Sequence, residues 1–475
     1  MIDLNYSMLK KNNLFFKSLE KFKTKNAIIT ENGKYISYQE LLINSEKISK
    51  KLKPKKKLVF LLGQNNLETI TGYISFINKG YTVALIDFRI NEIFFKKLIK
   101  LYKPDYIFSK KNDFKIKNLY QTILKYKSYI LLKRKKEFKK ILHKDLMLLM
   151  STSGSTGSPK FVRQSYLNVN SNTQKIIQYL NIKSKDVTIT SLPFTYVYGL
   201  SVINTHLFVG ATIVLTNRSM IEKIFWEIVK NYKVNNFSGV PYNYTIIDKI
   251  LKKGLPNSLK YTTQAGGKMN HVLIKSVLNT YKKHKIKLIQ MYGAAEATSR
   301  MSYLKWKDVH KKIGSIGKPI PGGNFHLINK AGQKINKRNK KGELVYKGKN
   351  VFMGYAEKLK DLSLPNLNEG ILKTGDIAYV DQEGFYFIEG RKNRYAKIYG
   401  VRVNLAELES ILSDKGVDTI MREGNENKIF IYFKNLSKAN KNIKYLAKIT
   451  SINQNVFVVK KISKNNLTNN YKFKI

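Results

Sequence analysis

Apolar and polar positions along this chain fall into two textures. Between about residue 57 and residue 293, short apolar runs of strand length alternate with longer stretches of helical spacing. KLVFLLG (57–63) predicts a buried strand, ETITGYISFINKG a helix closed by Gly80, and YTVALID (81–87) the next strand. DYIF (105–108), VTITSL (187–192), ATIVL (211–215) and KLIQMYG (287–293) predict further strands, with helices expected over 165–180 and 271–284. This alternation predicts an α/β fold of parallel sheets covered by helices, with ligands at loops beyond the carboxyl ends of strands. From about 313 the texture becomes short, glycine-punctuated β segments (IGKPIPGGNFHLI, GELVYKG, IAYVDQEGFYFIEG), which predict an antiparallel barrel or meander. The residues after GRKN (390–393) read as a small α+β module.

The stretch MSTSGSTGSPK (150–160) interrupts this pattern. It is not a Walker A loop: Gly154 and Gly157 are three apart, Lys160 follows proline, and Pro159 disfavours helical geometry at Ser158. Apolar flanks on both sides predict a loop between two strands, with the next helix capped by Ser165. Two glycines let backbone amides approach an anion, the serines and threonines supply hydroxyl donors, and Lys160 adds charge.

Composition narrows the function classes. The 475 residues hold no cysteine, which excludes disulfides, thiolate nucleophiles and Cys-based metal sites, and fits a reducing cytoplasm. No apolar run reaches spanning length, so no membrane span is expected. The net charge is +55, but lysines are spread along the whole chain and only ten of the 87 basic residues are arginine. Compositional drift explains that better than a clustered nucleic-acid face, and no specific nucleic-acid partner is expected.

The ordered set MSTSGSTGSPKFV, LPFTYVYGL (192–200), QAGGKM (264–269), MYGAAEAT (291–298), GELVYKGKNVFMGY (342–355), LKTGDIAYVDQEGFYFIEGRKNRYAKIYGVRV (372–403) and TNNYK (468–472) resembles the motifs of the adenylate-forming enzyme superfamily. That superfamily holds acyl- and aryl-CoA synthetases, adenylation domains of nonribosomal peptide synthesis, and beetle luciferases. The resemblance implies an N-terminal adenylation domain, 1–391, of two αβ sheets plus a β-barrel (about 313–391). It also implies a small mobile α+β lid, 392–475, hinged at Asn393. It further implies an ATP-dependent ligase that activates a carboxylic acid as an acyl-adenylate, releases pyrophosphate, and transfers the acyl group to a thiol.

Residue roles carry over position by position as expectations of that resemblance. Thr152, Ser153, Gly154, Ser155, Thr156, Gly157 and Lys160 would hold the β- and γ-phosphates, and Glu296 would bind Mg²⁺. Asp376 and Arg391 would hold the ribose hydroxyls, with Tyr292 and Gly293 beside the adenine and Gly266 and Gly267 passing close to the nucleotide. Lys472 would meet the developing charge at the α-phosphate, with Lys474 its competitor. Lys397 and Gly400 would line the path of coenzyme A or of a carrier protein's phosphopantetheine. Tyr196, Tyr198, Gly239 and Gln264 would wall the acyl pocket. The segment around 194–197 has no acid to pair an ammonium, which disfavours α-amino acids. Three departures stand out: Tyr196 replaces the common His, Ala295 the Thr before the glutamate, and Tyr471 the Gly before the C-terminal lysine. Transfer of the acyl group to an amine or hydroxyl, and a degenerate nucleotide- or nucleic-acid-binding homologue, are the competing readings.

Overall fold

Two large sheets organise the molecule. The computed structural model describes residues 17–110, 116, 118–151, 160–250, 254–269, 271–391, 395–413, 415, 417, 419–433, 436–437 and 439–461. The first sheet has eight strands. Its centre is parallel, built from Leu58–Gly63, Thr82–Asp87, Tyr106–Lys110 and Leu146–Ser151. All six residues of Leu58–Gly63 are buried, as a strand covered on both faces requires. The helix Leu67–Asn78 packs beside it, with Asn66 capping its start and Gly80, at φ +77°, following its end.

Phe161–Ser165 runs antiparallel to Leu146–Ser151, pairing Val162 with Met150 and Phe161 with Ser151. The two expected strands therefore flank MSTSGSTGSPK. Ser165 then caps the helix Tyr166–Leu180 in a reciprocal box with Asn168, each side chain accepting from the other's backbone N–H.

The second sheet begins as a parallel array. Asn26–Ile29, Thr212–Val214, Val187–Ile189, Asn236–Gly239, Tyr261–Gln264 and Lys287–Tyr292 lie side by side. It continues antiparallel through Ser302–Leu304 and Ser315–Pro319 into Tyr386–Arg391, Ile371–Val380, Gly342–Lys347 and Asn324–Ile328. The antiparallel region expected from 313 onward is thus hydrogen-bonded in one line with the parallel array.

Beyond Tyr395 the chain forms the hairpin Tyr395–Ile398/Val401–Asn404, the helices Leu405–Ser413 and Ala439–Thr450, and a three-stranded sheet of Thr419–Glu423, Ile429–Phe433 and Phe457–Lys461. Its apolar cluster, from Ala396 to Phe457, draws on no residue before 395. Among the described residues no helix is long and apolar enough to cross a membrane.

The helix Val197–Phe208 is buried along most of its length and carries His206 near its end. His206 is 2% exposed and its Nδ1 lies 2.8 Å from the Val202 carbonyl. Burial holds its pKa down to about 4, against an ordinary 6.5. As pH falls from 6.5 toward 4, the unfolded chain binds a proton that the folded chain refuses. Stability is therefore full above 6.5 and is lost on acidification, at about 1.4 kcal/mol per pH unit. Urea unfolding at pH 7 and pH 5 should show a loss of about 2 kcal/mol from this group that disappears in His206→Leu. Equal acid sensitivity in the two proteins would count against it.

Candidate active site

A cavity of about 690 Å³ opens where the parallel strands Tyr261–Gln264 and Lys287–Tyr292 end, the position that parallel topology favours for ligands. Ser151 and Lys160, the two rims of the serine-rich loop, stand on one side. Tyr196 to Tyr198, Gln264 to Met269 and Gln290 to Glu296 form the floor. Asp376, Ile388 to Gly390, Tyr395, Lys397, Gly400 and Asn404 close the far side.

Glu296 sits in the short turn Ala295–Ala297. Its carboxylate accepts a 2.8 Å hydrogen bond from the Tyr355 hydroxyl, and its carbonyl accepts from the Phe352 N–H at 2.9 Å. Burial, reinforced by the Glu296 charge, pushes the Tyr355 phenol well above its usual pKa, so it remains a donor. Lys160 Nζ lies 3.5 Å from the Tyr355 ring centroid and 3.5 Å from the exposed Glu357 carboxylate. Tyr355 thus links two residues that the sequence had already singled out.

The turn is held from behind by Asn350, itself 2% exposed. Its Nδ2 donates to the Ala297 and Arg300 carbonyls, each at 2.9 Å, and its Oδ1 accepts from the Tyr346 hydroxyl at 2.8 Å. Its carbonyl accepts from the Thr298 hydroxyl at 2.7 Å.

Asp376 is 2% exposed and accepts from the Tyr292 hydroxyl. Strand register sets Asp376 directly opposite Arg391, so the two expected ribose-holding positions share one rung. On the acyl side, Tyr198 donates to the Thr263 carbonyl at 2.8 Å, and its ring lies 6.3 Å from that of Tyr196. Burial raises the pKa of both phenols, with the neighbouring Arg300 acting in the opposite direction.

The C-terminal hairpin presents its turn to this cavity. A Cβ at Gly267 would lie 3.6 Å from Lys397 Nζ, and one at Gly400 would lie 2.9 Å from a Val240 methyl. Tyr399 makes an edge contact with Tyr242, ring centroids 5.6 Å apart. Within the small module, Glu423 accepts from the Lys397 N–H at 2.6 Å, and Asn427 from the Tyr399 N–H at 2.6 Å.

Lys160, Tyr196, Tyr198, Gln264, Gly266, Gly267, Tyr292, Gly293, Glu296, Asp376, Lys397 and Gly400 therefore line one cavity. Gly239 stands one layer back, its carbonyl accepting from the Ala265 N–H at 3.2 Å. Thr152, Ser153, Gly154, Ser155, Thr156, Gly157, Asn393, Lys472 and Lys474 lie outside the described residues. Sequence reasoning assigned no role to Tyr355, Asn350 or Arg300. The first two lie in the quoted segment 342–355. Arg300 follows YGAAEATS as a rare arginine among lysines.

Among the described residues no group of three or more His, Asp or Glu side chains could cage a metal. A single carboxylate at Glu296 fits an Mg²⁺ that keeps waters and takes its other oxygens from substrate phosphates.

The sequence model for AMP-binding enzymes matches residues 15–356. The chain belongs to that family. It is 27% identical over 429 residues to 2-succinylbenzoate–CoA ligase of Oceanobacillus iheyensis, covering 85% of this chain and 84% of that protein. It is 29% identical over 266 residues to the ligase of the same name from Bacillus pumilus, covering 56% and 52%. Against that relative, and others from Bacillus and Listeria, the chain spans about half of the relative's length. Among solved structures, o-succinylbenzoate CoA synthetase of Bacillus subtilis bound to a product analogue matches with a TM-score of 0.78 at 20% identity, covering 98% of this chain and 97% of that one. A long-chain-fatty-acid–CoA ligase of Archaeoglobus fulgidus matches at 0.66 and 18%, covering 95% and 96%. The fold is shared: a large α/β part followed by a small C-terminal domain.

Replacing Asn350 by Ala would leave the buried Tyr346 hydroxyl without its acceptor and take one of two donors from each of the Ala297 and Arg300 carbonyls, which keep the Ser299 N–H and the Asn172 amide, at a cost of about 1–3 kcal/mol. Urea unfolding measures this directly. A loss below about 0.5 kcal/mol, the size of a neutral surface change, would mean the turn is not held by this clamp.

Proposed function

We propose that the chain is an AMP-forming acid–thiol ligase. A carboxylate oxygen of the acid attacks the α-phosphorus of ATP and pyrophosphate leaves. A thiolate then attacks the acyl carbon of the adenylate, forming the thioester and releasing AMP. The observation that carries this reading is that one cavity is faced from both sides. Glu296, Tyr292 and Asp376 stand on the nucleotide side, and Lys397 and Gly400 reach in from the C-terminal hairpin.

The roles follow from charge and geometry. Both reactants are anions, so the site must offset repulsion and hold an in-line approach. Lys160 and the adjoining loop serve the departing phosphates, Glu296 the Mg²⁺ that accompanies them, and Asp376 with Arg391 the ribose. Lys472 supplies positive charge at the α-phosphate. The division at 391/392, with Asn393 as hinge, lets the small domain exchange the Lys472 segment for the hairpin face between half-reactions. The chain has no cysteine of its own, so the thiol is brought in. The CoA-ligase names of its relatives favour coenzyme A over a carrier protein, and 2-succinylbenzoate is the first acid to try.

Acid-dependent exchange of labelled pyrophosphate into ATP tests the first half-reaction. The wild type should show it, and Lys472→Ala should lower it by at least about a hundredfold, the scale of losing one charge-stabilising group, while ATP binding persists. Exchange with no acid of a broad panel would sink the ligase reading.

Gly400 has φ +86° and sits against Val240. A side chain there opposes the hairpin's seat while leaving the nucleotide side untouched. Gly400→Ala should lower thioester formation by about tenfold or more, equivalent to 1.4 kcal/mol, with pyrophosphate exchange changed less than about threefold. An equal fall in both rates would place the hairpin outside the thioester step.

A further inference from the structure

Arg300 is 3% exposed and forms part of the cavity wall beside Tyr196, Tyr198 and Met291. Its guanidinium carbon lies 3.7 Å from the centroid of the Tyr198 ring. Among the described residues, every polar partner it has is neutral. Nη1 donates to the Ser299 hydroxyl and, at 3.4 Å, to the Ser299 carbonyl. Nη2 donates to the Ser201 hydroxyl at 3.3 Å, and Nε points to the Met291 sulfur at 3.4 Å. Among the described residues no carboxylate forms an ion pair with it. The four carboxylates on the same cavity are engaged elsewhere: Glu296 by Tyr355, Asp376 by Tyr292, Glu389 by Lys341, and Glu423 by the Lys397 amide.

Burying a guanidinium without a counterion is costly, and stacking on one phenol returns only part of that cost. Arg163, another buried arginine, donates from both terminal nitrogens to the carbonyls of Met353, Leu364 and Pro365, tying distant segments together. Arg300 has no such set of strong acceptors and faces the space where the acyl group would lie. Serine hydroxyls, a thioether and a ring face hold the fork in place without neutralising it. That arrangement preorganises a cation for an incoming anion, because the planar fork matches a carboxylate with two parallel bonds.

We propose that the acid activated here carries a second carboxylate, at the end remote from the reacting one, and that Arg300 binds it. This rests on the ligase reading and narrows its substrate to dicarboxylic acids with an alkyl or aryl spacer. An acid with an apolar tail would bury the guanidinium against hydrocarbon. One with an ammonium tail would be repelled. Discrimination is therefore built from attraction and exclusion together.

The test compares matched acids in pyrophosphate exchange: 2-succinylbenzoate against 4-oxo-4-phenylbutyrate, which lacks only the ring carboxylate, and adipate against hexanoate. The wild type should favour the dicarboxylate of at least one pair by more than about tenfold in kcat/KM, which is 1.4 kcal/mol. In Arg300→Met that ratio should fall to within about threefold, and Arg300→Lys should keep part of it. Because the readout is a ratio, a general loss of activity cancels. A wild type that favours the monocarboxylates, or an unchanged ratio in Arg300→Met with an intact melting transition, would overturn the assignment. Should Arg300→Met fail to fold, the ratios of the wild type and Arg300→Lys decide: no dicarboxylate preference in the first, or an undiminished one in the second, overturns it. If no acid supports exchange, the ligase reading fails instead. Calorimetric titration with 2-succinylbenzoate and 4-oxo-4-phenylbutyrate then decides the present point: tighter binding of the dicarboxylate upholds it and equal affinity overturns it.

Discussion

The reversal after Lys287–Tyr292 is the constraint on which the rest of the site depends. A Cβ at Gly293 would stand 1.8 Å from the Ser299 carbonyl oxygen, so the returning backbone passes through space that any side chain would fill. Thr298 closes the reversal at φ +64°, ψ −45°, a strained geometry worth about 1–3 kcal/mol. Asn350 and the Thr298 hydroxyl hold it there. From this one reversal Glu296 is sent toward Tyr355 and the loop rim, and Arg300 toward Tyr198. Both ends of the cavity inherit their geometry from a turn of a few residues.

A chain with 87 basic and 32 acidic residues must decide where its few carboxylates go. Asp105 is spent on structure, pairing Lys140 at 2.9 Å and accepting from the Leu58 N–H at 2.9 Å. Half-buried Lys56 instead donates to the Leu146 carbonyl at 2.8 Å, and desolvation brings its pKa down to about 8. The carboxylates of Glu296 and Asp376 each accept from a phenol, Tyr355 and Tyr292. A neutral donor fixes the orientation of a carboxylate while leaving its charge in place, which a lysine partner would cancel.

The fold was largely legible because its signals are local. Continuous apolar runs with helical stretches between them announced the parallel sheets, and Ser165 was readable as a cap because N-cap chemistry depends on residues three apart. The serine-rich loop was readable as a strand-to-strand connection from its apolar flanks, now the paired strands around Met150 and Val162. The site was legible only where residues belong to recognisable runs. Tyr355 reaches Glu296 from the far edge strand of the first sheet, fifty-nine positions along the chain. No periodicity encodes that contact. Nor does any local pattern say that Arg300 is buried without a carboxylate, since the absence of a partner is a property of the packed structure. Gly239 shows the converse: a residue flanked by pocket-forming positions can sit behind the wall because its strand points it there.

The small C-terminal part explains how one cavity could serve two reactions. Its apolar core is its own, and among the described residues its seat includes modest contacts: the edge of Tyr399 on Tyr242, Gly400 against Val240, and the Asn91 amide on the Lys448 carbonyl at 3.1 Å. Contacts of that kind contribute about 0.5–1.5 kcal/mol each, enough to define a position and too little to lock it. An enzyme that must first admit a nucleotide and then a thiol gains from such balance. A deeply apolar interface would trap one arrangement, and slow departure from it would limit turnover. On the ligase reading, therefore, the hairpin's modest docking suits the chemistry, and the glycine at its tip is what lets it seat against Val240.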